Sequence, residues 1–310
     1  MRDIGVFCGA KRRRGSLKQV WTVAVYNFRG WHRNPRIIIT FALAFILCFL
    51  LSDKAVKFAE EYKTTMQAVE AFVWTFGDSN SILLASLLLV LLFADMPFLG
   101  AGVPYYLSRM RRSTWLWGQI VYICAATFIY IVFILVSTSV ICMRQSFIGN
   151  MWSETAAILG YSGAGKAIAL PAVVKTLEMS TPYECMGTIF LLMLLYTLLL
   201  VSMMLAVNIR RGQFWGVASV FIFSVYGFLI NPKTFNAFMH LTDEQMYIAN
   251  LWAAWVSPLQ HATYSMHNFG YDLLPRLWMT YVIFAALICV CYVSALRAMR
   301  RYNFNFTGTD

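Results

Sequence analysis

Charge is what this sequence has least of. Only 13% of its 310 residues are Asp, Glu, Lys or Arg, and 60% are hydrophobic. A soluble domain carries about 25% charged residues, so the composition points to a lipid bilayer as the solvent. Acidic residues are scarcer still, 14 against 25 Lys and Arg, which leaves a net charge of +11. Histidine occurs four times, at His32, His240, His261 and His267. No HExxH or paired CxxC fixes metal-ligand geometry, so a metalloprotease or structural zinc site has no basis. No G-x-S-x-G occurs, and serine-hydrolase chemistry therefore lacks its anchor. Seven cysteines give no disulfide framework. Cys48, Cys124, Cys289 and Cys291 lie in apolar runs, where a thiol behaves as a small hydrophobe. Cys8 falls in a basic tail. Cys142 and Cys185 close two neighbouring apolar runs, and a bridge between them is left open.

The basic residues follow a pattern. Six apolar runs, at 36–52, 80–98, 115–142, 186–207, 213–231 and 277–296, are candidates to cross a membrane. The first and fifth have only about 17 apolar residues each, the lower limit for crossing. One set of boundaries carries the Arg-rich N-terminus, Arg109/Arg111/Arg112, Arg210/Arg211 and Arg297/Arg300/Arg301. That set holds 17 of the 25 Lys and Arg, and the other side holds the remaining 8 with 11 of the 14 acidic residues. Positive loops are retained in the cytoplasm, so both termini are expected inside. A nucleic-acid binder would gather its cations on one soluble face; here their placement follows the membrane, and nucleic acid is not an expected partner.

The expected organisation is a basic tail with an interfacial helix (1–35), a six-helix transmembrane domain (36–296) and a cytoplasmic tail (297–310). Lys11 to Arg14 are not followed by a secretory h-region, so the first span reads as an uncleaved anchor. In Ser16–Asn34, Leu17, Val20, Trp21, Ala24, Phe28 and Trp31 recur at helical spacing, with Lys18, Thr22, Arg29 and Arg33 opposite. Such a helix lies in the headgroup region, Trp21 and Trp31 toward acyl chains and Arg29 and Arg33 toward lipid phosphate. A solvated helix packed on a partner is the alternative. Residues 53–79 read as a polar, helix-prone outer loop, 143–185 as a long outer segment broken by Pro171 and Pro182, and 232–276 as an apolar segment that dips into the outer leaflet and returns at Pro258.

Gly160–Ala167 (GYSGAGKA) nearly matches a phosphate loop. Ala167 stands where the Mg²⁺-binding hydroxyl belongs and no buried strand precedes it, so it reads as a glycine turn. The histidines read as solvated or interfacial. Asp95 is the most informative residue, a carboxylate near the inner end of a span. With no second acidic residue inside any span, a proton relay is disfavoured. Asp95 is expected to pair with Arg109, Arg111 or Arg112 and, with Pro97, to shape the hairpin that follows.

These features together resemble the ABC-2 type permease subunit of bacterial ABC exporters, the type V membrane fold. The resemblance is carried by the basic helix before the first span, ADMPF ending the second (94–98), YYLSRMRRSTWLWGQ (105–119), TPYE entering the fourth (181–184) and WVSPLQHA before the last (255–262). It implies an all-α integral membrane protein of six transmembrane helices in the bacterial cell membrane, with an N-terminal connecting helix and a re-entrant outer segment between the last two spans. It implies that Tyr105–Thr114 is a coupling helix seated on a separate ATPase subunit, with Tyr105, Tyr106, Arg109, Arg111, Arg112 and Thr114 as coupling residues. The expected partners are that ATPase, a second permease (identical or not) and membrane lipid. ATP and Mg would be bound by the partner, with no cofactor and no catalytic residue in this chain. The path would be lined by the first, second and fifth spans. The reading from another class is a non-transporting membrane scaffold or sensor, and a membrane-embedded enzyme comes third.

Overall fold

A computed structural model describes residues 4–97, 110–167, 174–240, 245–270 and 272–302, with side chains from Leu17 onward except Lys166, Ala167, Phe238 and Met246. Three of its helices, those beginning at Pro35, Ser79 and Pro182, start where the sequence supplies caps. After α1 (Ile4–Arg29), the Asn34 side chain accepts from the Arg36 amide at 3.1 Å and Pro35 occupies the first position of α2 (Pro35–Tyr62). Proline costs nothing there because that amide has no intrahelical partner. Asp78 accepts from the Asn80 amide at 3.1 Å to open α4 (Ser79–Phe93), which follows the short α3 (Glu70–Phe76). α5 (Arg112–Ile141) leads through the short α6 (Glu154–Tyr161) to α7 (Pro182–Arg211), where the Glu184 carboxylate accepts from the Thr181 amide at 3.1 Å. α8 (Gln213–Leu229), α9 (Met246–Val256), the short helix Pro258–Ala262 and α10 (Leu277–Met299) complete the bundle.

Among the described residues four helices, α2, α5, α7 and α10, are long and apolar enough to cross a membrane, or five if α3 and α4 form one broken span. The chain is thus a helical protein with several helices that fit a bilayer. Three expected boundaries are corrected. The first span does not stop at residue 52, because Asp53 and Lys57 pair one turn apart at 2.8 Å and carry α2 on to Tyr62. The second is a 15-residue helix at 90° to α3, and α3 is wholly buried where a polar loop was expected. α8, the fifth expected span, has 17 residues and is about 25 Å long at 1.5 Å per residue, short of the roughly 30 Å hydrocarbon layer.

α7 is the axis of the bundle, with α3, α4, α5, α8 and α10 packed around it and α2 outside α4 and α5. Some of the polar groups buried in this core are partnered between helices. Ser86 and Thr197 hydroxyls meet at 3.0 Å, and Tyr130 OH donates to the Ala85 carbonyl at 2.9 Å. Burial of the Leu, Ile and Met faces of α4, α5 and α7 does the rest. The outward faces are apolar as well: Ile38, Ile46, Phe49 and Leu50 on α2, Phe221 and Ile222 on α8, and Val282 and Val290 on α10 are exposed. In water such a surface would aggregate; in lipid it is the ordinary exterior.

Candidate functional site

The arginine-rich end of the bundle is where the sequence placed its functional residues. α4 ends there in Ala94, Asp95, Met96 and Pro97, with a cis Met96–Pro97 bond. Met96 and Pro97 are buried. The Asn208 amide of α7 donates to the carbonyls of Ala94 at 3.2 Å and Met96 at 2.7 Å, satisfying acceptors that the helix end leaves open. Gln213 Nε2 donates to the Asp95 carbonyl at 3.4 Å. The Asp95 carboxylate pairs with Arg36. The expected partners were Arg109, Arg111 or Arg112; Arg109 lies outside the described residues, and among those described the partner is Arg36. The first turn of α2 lies beside the end of α4, whereas Arg112 turns away and donates from Nη1 to the Tyr302 carbonyl at 2.9 Å. Arg36 and Asp95 are 57% and 42% exposed, so their direct contribution to stability is at most about 1 kcal/mol; they fix position.

Tyr105, Tyr106 and Arg109 lie outside the described residues. Of the other expected coupling residues, Arg111 and Arg112 are exposed at the start of α5 and Thr114 is buried. That start is held by α1. A Cβ at Gly118 would sit 2.6 Å from Val23 Cβ and 3.0 Å from the Val20 carbonyl, so only glycine admits this approach. Asn27 Nδ2 donates to Gln119 Oε1 at 2.9 Å, and Trp31 Nε1 to Tyr122 OH at 3.0 Å. Phe28, Trp31 and Phe93 gather around Tyr122, and Phe41 packs on Trp31. The apolar face expected on this helix is divided: Ala24, Phe28 and Trp31 turn to the bundle, joined by Val23, while Leu17 and Trp21 remain 73% and 65% exposed. Arg29 and Arg33 are exposed.

The opposite end holds polar residues that the sequence reading passed over. Glu70 is fully buried in the first turn of α3, and its carboxylate accepts from the Ser153 amide at 2.8 Å and the Ser153 hydroxyl at 2.6 Å. Ser153 in turn caps α6 through the Ala156 amide at 3.1 Å. Two helix N-termini therefore face one carboxylate, the arrangement that best offsets burying it. The signal was present in EAFVWTF, an acidic residue opening an apolar helix.

His261 and His267, expected to be solvated or interfacial, are both buried. His267 Nδ1 lies 3.0 Å from the Thr263 carbonyl and so carries the proton; its Nε2 then accepts from the Thr280 hydroxyl at 3.0 Å, which also meets His261 Nδ1 at 3.0 Å. Burial lowers His261 and pushes His267 down to about 4. His32 and His240 are exposed as expected. Among the described residues no cluster of His, Cys, Asp and Glu could hold a metal. Cys142 and Cys185 are free thiols. Gly160 lies in the last turn of α6 and Gly163, at φ 72°, in the turn after it, with no strand leading in.

Neither protein-family models, nor curated proteins, nor solved structures yield a match to this chain.

The arginine-rich end brings together no nucleophile, general acid or metal ligand set among the described residues. Both stems of the 98–109 segment are instead fixed, the incoming one by Arg36, Asn208 and Gln213 and the outgoing one by α1 and Tyr302.

Proposed function

We propose that this chain is the permease subunit of an ATP-binding-cassette exporter, half of a translocation path driven by a separate ATPase. The observation that carries the proposal is the anchoring of both stems of the 98–109 segment. Stems fixed at their roots pass a push on to the helices they end, as a transmitter of force from a partner must. In this reading α3–α4 is one bent crossing and α8 another, giving six. The apolar stretch from α9 to Pro258–Ala262 is the re-entrant element, tied to α8 where Ser257 Oγ donates to the Gly227 carbonyl at 2.9 Å. Both termini are cytoplasmic, and ATP and Mg belong to the partner.

The test is ATP hydrolysis by the complex purified from its native membrane through a tag on this chain. Co-purifying hydrolysis should fall at least about tenfold when Arg111 and Arg112 become Glu, because losing one member of a desolvated charge pair costs about 2–5 kcal/mol. The variant must retain the elution volume of the bundle. Hydrolysis that never accompanies the chain, or that survives the double reversal unchanged, removes the proposal.

A further inference from the structure

Beside the coupling stems, α7 and α10 end in a cleft of about 730 Å³ lined by Arg210, Arg297, Arg300 and Arg301 together with Asn208 and Tyr302. Its lining includes no carboxylate, and no ion pair among the described residues engages any of these guanidinia. Concentrated like charge repels itself, so this end of the bundle is built to receive an anion from outside.

Two apolar grooves meet the cleft at Arg210. One, of about 580 Å³, runs along α10 past Arg297, Ser294, Val293, Val290 and Cys289, a distance of about 12 Å at 1.5 Å per residue. The other, of about 430 Å³, runs along α8 past Arg211, Trp215, Ala218 and Ile222. α7 and α10 are both long and apolar enough to cross a membrane, so their arginine-bearing ends fall where headgroups lie.

We propose that this cleft binds the phosphate of an anionic phospholipid, with one acyl chain in each groove. Guanidinium forks match phosphate oxygens bidentately, whereas a zwitterionic headgroup brings a cation that four arginines repel. The paired grooves favour a diacyl lipid over a soluble polyanion, which would have no use for them. The site stands apart from the ATPase reading and needs only that the bundle sits in a bilayer.

Native mass spectrometry of the delipidated full chain in detergent, titrated with phosphatidylglycerol, phosphatidylcholine or glycerophosphoglycerol, tests the site. The wild type should hold phosphatidylglycerol at least tenfold more tightly than the other two. Replacing Arg297, Arg300 and Arg301 with Gln should erase that preference. Val290→Trp, which fills one groove and leaves every charge, should weaken phosphatidylglycerol several-fold without altering the weak binding of glycerophosphoglycerol. Equal retention of the two lipids, or an unchanged preference in the triple variant, overturns the proposal. Glycerophosphoglycerol binding as tight as the lipid would make the cleft a soluble-phosphate site and overturn it too. So would unchanged lipid binding in a triple variant that instead sheds a protein partner, since that would make it a protein-docking surface.

Discussion

The two ends of the bundle handle polarity in opposite ways. At the end holding Glu70, His261, His267 and Thr280, each of these groups is buried and hydrogen-bonded within the chain. Thr64, Thr155 and the Thr65 carbonyl add a further closed network, at 2.7 and 3.0 Å. At the arginine-rich end the arginine side chains are exposed, one ion pair is half in water, and guanidinia line a cleft that holds no counter-charge. A saturated, buried network fixes geometry and offers nothing to a ligand. An exposed, unbalanced one costs little to leave open and gains when a partner arrives. The first end reads as the frame and the second as the working end.

If Glu70 is the keystone of the frame, its loss should be the largest single effect. Glu70→Ala strands the buried Ser153 amide and hydroxyl and loosens the start of α6. Hydrogen bonds to a charged group contribute roughly 1.5–3 kcal/mol each, so a loss of about 3 kcal/mol is expected. In detergent that lowers the thermal midpoint by about 5 °C for a chain of this size. Glu70→Gln keeps an acceptor and should cost less than half as much. A midpoint within a degree of wild type for Glu70→Ala would erase the contrast between the two ends.

Sequence alone carried the helices further than their partners. Each of the six apolar runs is the heart of a helix, because hydropathy and caps such as Asn34–Pro35 and Asp78 are local properties. Asp53 and Lys57 read as the start of a loop because charge alone cannot distinguish a helix surface from a connection; their one-turn spacing was the better clue. Glu70 reads only as part of a polar outer loop and the two histidines as solvated or interfacial, since an isolated polar residue does not announce which distant side chain will face it. Asp95 was correctly placed at the end of a helix, but its partner depended on which helix lies alongside. Arg36 won through the packing of α2 on α4, which no spacing rule contains.

A second, smaller effect tests whether the working end is held by α7 as firmly as the geometry implies. Asn208→Leu removes both donations to the end of α4 and should cost about 2 kcal/mol. A Cβ at Gly216 would overlap the same Asn208 carboxamide, so Gly216→Ala should act through the same contact. The two changes combined should then cost little more than the worse one alone, which a double-mutant cycle measures. Full additivity would separate Gly216 from the clamp. Under the exporter reading, both variants should also lower partner-coupled ATP hydrolysis while leaving the far end's protection from hydrogen exchange intact.

The smallest expected effect is a pH response confined to the frame. Burial holds His267 near 4, against an ordinary value of 6.5, and lowers His261 as well. The charges facing His267 are His261 and Lys175, and Lys175 is itself paired with Asp272 at 2.5 Å. A histidine kept neutral by the fold binds its proton more readily once the fold opens. Stability is therefore complete above about pH 6.5 and is lost as pH falls from there toward 4. Between pH 7 and 5.5 the loss from His267 alone is about 1 kcal/mol. Guanidinia do not titrate in this range, so the arginine-rich end should not respond. Hydrogen exchange at pH 7 and 5.5, corrected for intrinsic rates, should show residues 261–270 and the first turn of α10 loosening while α4's end and the start of α5 stay unchanged. His267→Gln should flatten the dependence. Loosening at both ends together would mean that the frame and the working end open as one unit, and their division would fall.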